Sequence, residues 1–232
     1  MKENSNDVMK QFKVTLAANS YPVLKEIKYF RDYNTYIEES FSKSKIELEI
    51  KSEEHKNTVK LLDLETLNTL AEKKKLNEFS NIMRISLLTA VCSFLEKVIK
   101  TPCEADGRKN KYKKHSSVMK LNSGVPNFET SFIKTAKDFL FSQGFNQINN
   151  IQGWDYIGDM MRIRNKFVHE EGRADSQVKS NLQKYNYSLV DDEIILGDQF
   201  IESFIIVAEN FSIEFAKLFY VDESFISKYF LK

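Results

Sequence analysis

Apolar residues recur at helical spacing along most of this chain. Leu24, Ile27, Phe30, Ile37, Phe41 and Leu48 fit one face of a long, highly charged helix that starts at Ser20 and Pro22 and reaches about Lys51. The residues before it, 1–19, read as a tail with a short strand at Phe12-Lys13-Val14-Thr15-Leu16. A break at His55-Lys56-Asn57 precedes a second amphipathic stretch with Leu61, Leu64, Leu67 and Leu70, whose spacing points to core. From Leu76 to Lys100 the chain is apolar almost all round, the pattern of a central buried helix. Two charges interrupt it: Arg84 within the apolar arc, and Glu96 on a narrow strip shared with Ser86, Thr89 and Ser93. Pro126-Asn127 opens a further helix with Phe128, Phe132, Ile133, Ala136, Phe139 and Leu140 inward, ending near Gly144. Asn149-Asn150 introduces another, periodic from Trp154 and stopped by Gly172. Two apolar runs about the acidic turn in Tyr187–Leu196 predict a small β-hairpin. Gly197-Asp198 then caps a C-terminal helix rich in phenylalanine.

Composition narrows the class. Only 7 Gly and 3 Pro occur in 232 residues, which argues against a many-hairpin β protein and for an all-α fold. Residues 20–232 read as one domain, since no linker or repeat divides them. A formal net charge of +1 provides no global basic field, so any nucleic-acid contact must come from a local patch. The polar start and the absence of a membrane-length apolar run lead to the expectation of a cytoplasmic chain with no membrane partner. Cys92, in a helix, and Cys103, read as loop, suggest no disulfide framework. No Gly-rich phosphate loop occurs, and His55, His115 and His169 stand far apart. No cofactor and no metal is therefore expected.

The candidate chemistry lies in Arg162-Ile163-Arg164-Asn165-Lys166-Phe167-Val168-His169-Glu170-Glu171-Gly172. On a helix, Trp154, Ile157, Met161 and Val168 form one stripe with Arg164 near its centre; Arg162, Asn165 and His169 lie along one edge. An arginine facing the core is costly to desolvate unless it meets a partner or a ligand. The bland alternative is a salt bridge from Arg164 to a buried glutamate such as Glu96, with His169 closing a helix end. The functional alternative is RNA cleavage by the ribose 2′-OH, which needs an arginine for phosphate charge and a histidine for proton transfer.

Arg164-Asn165-x-x-x-His169 resembles the Arg-(four to six residues)-His signature of HEPN domains, in the form with Asn directly after Arg. Arg162-(six residues)-His169 also fits, and Asn165 decides for Arg164. The pattern Arg84-x-Ser86-Leu87-Leu88…Phe94-Leu95-Glu96-Lys97 is similar to the first core helix of some bacterial HEPN families, with the glutamate near the active site. The resemblance implies a helical bundle and a homodimer in which two motif copies face each other. It implies a metal-independent endoribonuclease of a toxin–antitoxin, abortive-infection or related antiviral defence system. His169 would then be general base on the 2′-OH, general acid on the 5′-oxygen, or both across a dimer. Arg164 would stabilise the phosphorane, Asn165 would orient His169 or the phosphate, and Glu96 would hold Arg164 or the imidazole. The products would be a 2′,3′-cyclic phosphate and a 5′-OH. Some HEPN domains instead keep the motif as non-catalytic modules that bind RNA or a partner protein, and this is the alternative. In HEPN toxins silenced by a nucleotidyltransferase antitoxin, a tyrosine two places after the histidine is modified. Glu171 stands there in this chain, which speaks against that control and leaves the antitoxin or defence partner open.

A second feature is the basic cluster Arg108, Lys109, Lys111, Lys113 and Lys114, with Tyr112 inside it. It reads either as an RNA-binding loop, with cations on phosphates and Tyr112 stacking a base, or as a solvated connection. Arg162 joins it as a candidate RNA contact beside the motif.

Overall fold

Two long helices frame the fold. In a computed structural model, the described backbone covers residues 5–58, 64–105, 128–142, 145–185, 189–190 and 193–219. Helix α1 spans Ser5–Thr58 and α2 spans Leu64–Ala105; α3 (Phe128–Ser142), a 3₁₀ turn (Asn146–Asn150), α4 (Trp154–His169) and α5 (Ser176–Lys184) follow. Strands β1 (Leu189–Val190) and β2 (Glu193–Ile194) precede α6 (Asp198–Phe219). The all-α expectation holds, and so does the small antiparallel hairpin, with Leu189 opposite Ile194 and Val190 opposite Glu193.

Helix α1 buries Ile27, Asn34, Ile37, Phe41 and Leu48, with Phe30 and Ser44 half-buried between them. That alternating three- and four-residue spacing is a coiled-coil seam. It lies antiparallel on α2: Phe30 meets Phe94 (ring centroids 5.7 Å apart), Glu38 meets Arg84, and Phe41 meets Phe79 (6.1 Å). Arg84 is the interlock. Its Nε donates to Glu38 Oε1 at 2.7 Å, its Nη2 to Glu38 Oε2 at 2.5 Å, and its Nη1 to the Leu196 carbonyl at 3.1 Å, tying α1 and the segment before α6 to α2.

The core sits farther along α2, where Leu87 to Ile99 pack with Ile133, Phe139 and Leu140 of α3, the inner face of α4, and Phe200, Phe204, Phe211 and Phe215 of α6. Trp154 pins the start of α4: its indole N–H donates to the Ile148 carbonyl at 3.1 Å, and its ring meets Phe211 edge-on at 4.8 Å. Among the described residues, no helix is long and apolar enough to cross a membrane.

Several expectations are corrected. Helix α1 begins at Ser5, so residues 12–16 are helical and the start lies well before Ser20; the stretch 5–19 holds neither Gly nor Pro to stop a helix. The two stretches around Leu70 and after Leu76 form one helix, because Ala71-Glu72-Lys73-Lys74-Lys75 between them are strong helix formers. Leu67 and Leu70 are 51% and 56% exposed instead of core. That end of α2 runs beyond the bundle, and a two-helix arm buries only one seam. Cys103 lies inside α2, buried, with its thiol on the Ile99 carbonyl at 3.4 Å, since the helix continues through Pro102.

Candidate functional site

The end of α4 is built from both sides. The backbone N–H groups of Glu170 and Gly172 both donate to the Lys166 carbonyl at 2.9 Å, closing the helix. Glu171 (φ 52°) and Gly172 (φ 78°) turn the chain through the left-handed region. Gly172 is required there, because an added Cβ would lie 2.9 Å from the Phe167 ring. Beyond the turn the Gly172 carbonyl accepts from the Ile194 N–H at 3.1 Å, and Arg173 bridges Glu193. Gly172 therefore stops the motif helix, as the sequence suggested.

Arg164 faces α2, and its Nη2 donates to Glu96 Oε1 at 2.7 Å. The pair is mostly buried, with side chains 12% and 24% exposed. Two features 68 positions apart thus meet, and either a structural bridge or an anchored site arginine requires that contact. Asn165 is half-buried and His169 exposed. Five residues at 3.6 per turn set His169 about 140° around the helix from Arg164, whereas Asn165 lies about 40° from it. Within one chain the guanidinium and the imidazole leave the helix in different directions.

Arg162 points to another network. Its Nη1 lies 3.4 Å from Asp159 Oδ1. Asp159 also accepts from Asn181 Nδ2 at 3.0 Å and from the Tyr185 hydroxyl at 2.7 Å, with Lys184 Nζ at 3.4 Å. Burial, with Asp159 beside it, pushes the Tyr185 hydroxyl up, while contact with Tyr185 and then Asp159 raises Lys184. In this structure Arg162 pairs within α4 with the aspartate that joins α4 to α5.

Lys166, which the spacing did not single out, is a buried cation at the same helix end. It is 8% exposed, and its ammonium meets Glu170 Oε1 and Oε2 at 2.7 and 2.8 Å and Asp175 Oδ2 at 2.6 Å. Asp175 also caps α5 by accepting from the Val178 N–H at 2.8 Å. Burial pulls the Lys166 ammonium down, but the hydrogen bonds and charges of Asp175 and Glu170 outweigh it and hold its pKa above the ordinary lysine value. Burial likewise raises Asp175, and Lys166 together with the cap outweighs that and holds it low. The i, i+4 pair Lys166–Glu170 and an Asp ahead of a helix were the available signals.

Val168, placed on the buried stripe by periodicity, is 53% exposed. Ile157 on the same face is fully buried. Arg108, Lys109, Lys111, Tyr112, Lys113 and Lys114 lie outside the described residues. No group of three or more His, Cys, Asp or Glu side chains arranged to hold a metal occurs among the described residues. Comparison with known protein families, with curated proteins and with solved structures found no match to this chain.

Proposed function

We propose that the end of α4 is the active site of a HEPN-type endoribonuclease that cleaves RNA by attack of the ribose 2′-OH, without a metal. One observation carries the reading: Glu96, singled out on α2 for its place in a HEPN-like helix, contacts Arg164 of the separately recognised motif at 2.7 Å. Glu96 fixes the guanidinium, which stabilises the phosphorane charge. Exposed His169 moves the proton, a role worth about 10²–10⁴ in rate. Asn165 lies beside it on the helix surface and orients the imidazole or the phosphate. The divergence of about 140° between Arg164 and His169 favours a composite site in a homodimer, with each protomer supplying one of the two groups. The basic stretch from Arg108 to Lys114 supplies further phosphate contacts. The setting is bacterial antiviral defence or a toxin–antitoxin pair.

The same divergence, with Glu96 already on Arg164, also supports a second reading: a non-catalytic helical module that binds RNA or a partner protein. Incubating the purified protein with total RNA in excess chelator separates the two. Cleavage is expected to persist in chelator, to disappear in His169→Ala and to fall steeply in Arg164→Lys. Cleavage that stops with chelator, or survives undiminished in His169→Ala, contradicts the assignment; RNA binding without cleavage leaves the binding module.

A further inference from the structure

Helix α1 carries a second seam, rotated about 100° from the one that packs on α2. Positions 26, 29, 33, 36, 40 and 43 follow the alternating three- and four-residue spacing of a coiled-coil face, and they hold Glu26, Tyr29, Tyr33, Tyr36, Ser40 and Lys43. All six are exposed, the three tyrosines at 57%, 47% and 71%. Helix α2 covers α1 on one side, through Phe30, Glu38 and Phe41, and α6 lies beyond it, where Arg31 meets Glu209. Neither covers the tyrosine side. Three neighbouring exposed rings on one face are the composition of an interaction surface.

The order of residues along that face indicates its partner. The spacing 3-4-3-4-3 reads the same in both directions, so a second copy of α1 running antiparallel matches it layer for layer. Glu26 then lies opposite Lys43, Tyr29 opposite the small Ser40, and Tyr33 opposite Tyr36, each pair occurring twice about the two-fold axis. A parallel arrangement would set Glu26 on Glu26 and Lys43 on Lys43, and an antiparallel one shifted by a heptad would set Glu26 on Tyr36 or on Ile50. Among these arrangements, only the first brings opposite seam charges together. At about 200 Å² per tyrosine side chain, the exposed ring surface comes to roughly 700 Å² over two protomers. The Glu26, Ser40 and Lys43 layers bring it to about the 1,000 Å² that a specific interface needs.

We propose that the outer face of α1 is a self-association surface on which a second copy of this chain docks antiparallel, with Tyr33 against Tyr36 at the centre and Glu26 against Lys43 at each end. The surface belongs to α1, not to the end of α4, and does not depend on the nuclease reading. Thiol cross-linking of the full chain tests the register, since its own cysteines, Cys92 and Cys103, are buried. After a brief oxidising pulse, Tyr29→Cys mixed with Ser40→Cys is expected to give a disulfide-linked dimer. Tyr29→Cys alone is not, because its two thiols lie about 16 Å apart along the axis at 1.5 Å per residue. The protein concentration at half-maximal linking is expected to rise by about tenfold or more when Tyr33→Lys or Lys43→Glu is added to both chains. Glu26→Lys added to Lys43→Glu is expected to return it to the starting value. All these positions are exposed, so the fold is kept. Linking of Tyr29→Cys alone, no linking in the mixture, or a midpoint unmoved by charge reversal overturns the proposal. So does a chain that does not link but binds single-stranded RNA through these tyrosines, with binding lost in Tyr33→Lys.

Discussion

Arg164→Ala probes the contact on which both functional readings turn. The substitution strands Glu96, a carboxylate only 24% exposed, opposite a hole left by a side chain 12% exposed. Removing one partner of a fully buried ion pair costs about 3–5 kcal/mol; residual solvent access here lowers the expected loss to about 2–3 kcal/mol. For a chain of this size that is a fall of about 4–12 °C in melting temperature. Glu96→Gln leaves Arg164 an amide oxygen to donate to, so it costs less. The double variant Glu96→Leu with Arg164→Met exchanges the pair for apolar contacts and returns to within about 1 kcal/mol of the parent, because the stranded charge is gone. Urea denaturation of the parent, Glu96→Leu, Arg164→Met and the double variant closes a double-mutant cycle, with an expected coupling of about 1–3 kcal/mol. RNA cleavage by the same proteins separates structure from chemistry: the double variant regains stability and stays inactive. Loss of less than about 0.5 kcal/mol in Arg164→Ala would refute the reasoning, since surface changes lie in that range. Recovered cleavage in the double variant would show that the guanidinium has no part in the reaction.

Gly172→Ala places a Cβ against Phe167 at a φ of 78° and is expected to cost about 1–3 kcal/mol, read from denaturant midpoints. His169→Ala, at an exposed position, leaves the melting temperature within about 2 °C of the parent, so its effect on cleavage is free of a folding effect. The Lys166 clamp gives a pH signature. Asp175 titrates below its ordinary 3.8 in the fold, so its contribution is complete above that value and is lost as pH falls through the folded pKa. Lys166 titrates above 10.5, so its contribution is complete below that value and is lost as pH rises through the folded pKa. Asp175→Asn should therefore flatten the acid limb of stability against pH, measured by urea midpoints; an unchanged acid limb would remove Asp175 from the linkage.

Periodicity found the parts of the fold that obey one rule at a time. The buried face of α6, the α2 core from Leu87 to Ile99 and the stop at Gly172 all follow from local patterns. It failed where exposure depends on how far neighbouring elements extend. Leu67, Leu70 and Val168 have core spacing but are more than half exposed. The α1 start was misplaced because Pro22 reads locally as a beginning, although the helix runs through it. At the candidate site, Glu96 stood as a partner for Arg164 or for the imidazole, because a core-facing cation needs a carboxylate, and it meets Arg164. Lys166 was overlooked because its partners come from the next turn and from the cap of α5, which become neighbours only once Glu171 and Gly172 reverse the chain.

The most direct test of the proposed chemistry is the structure of the RNA ends. An RNA carrying one mapped cleavage site is compared with the same RNA bearing a single 2′-deoxy sugar on the 5′ side of that site, both in chelator. If His169 deprotonates a 2′-OH, the all-ribose substrate yields a 2′,3′-cyclic phosphate and a 5′-OH, and the deoxy substrate is not cut there. Cutting at the deoxy position, or fragments ending in 3′-OH and 5′-phosphate, would contradict that chemistry.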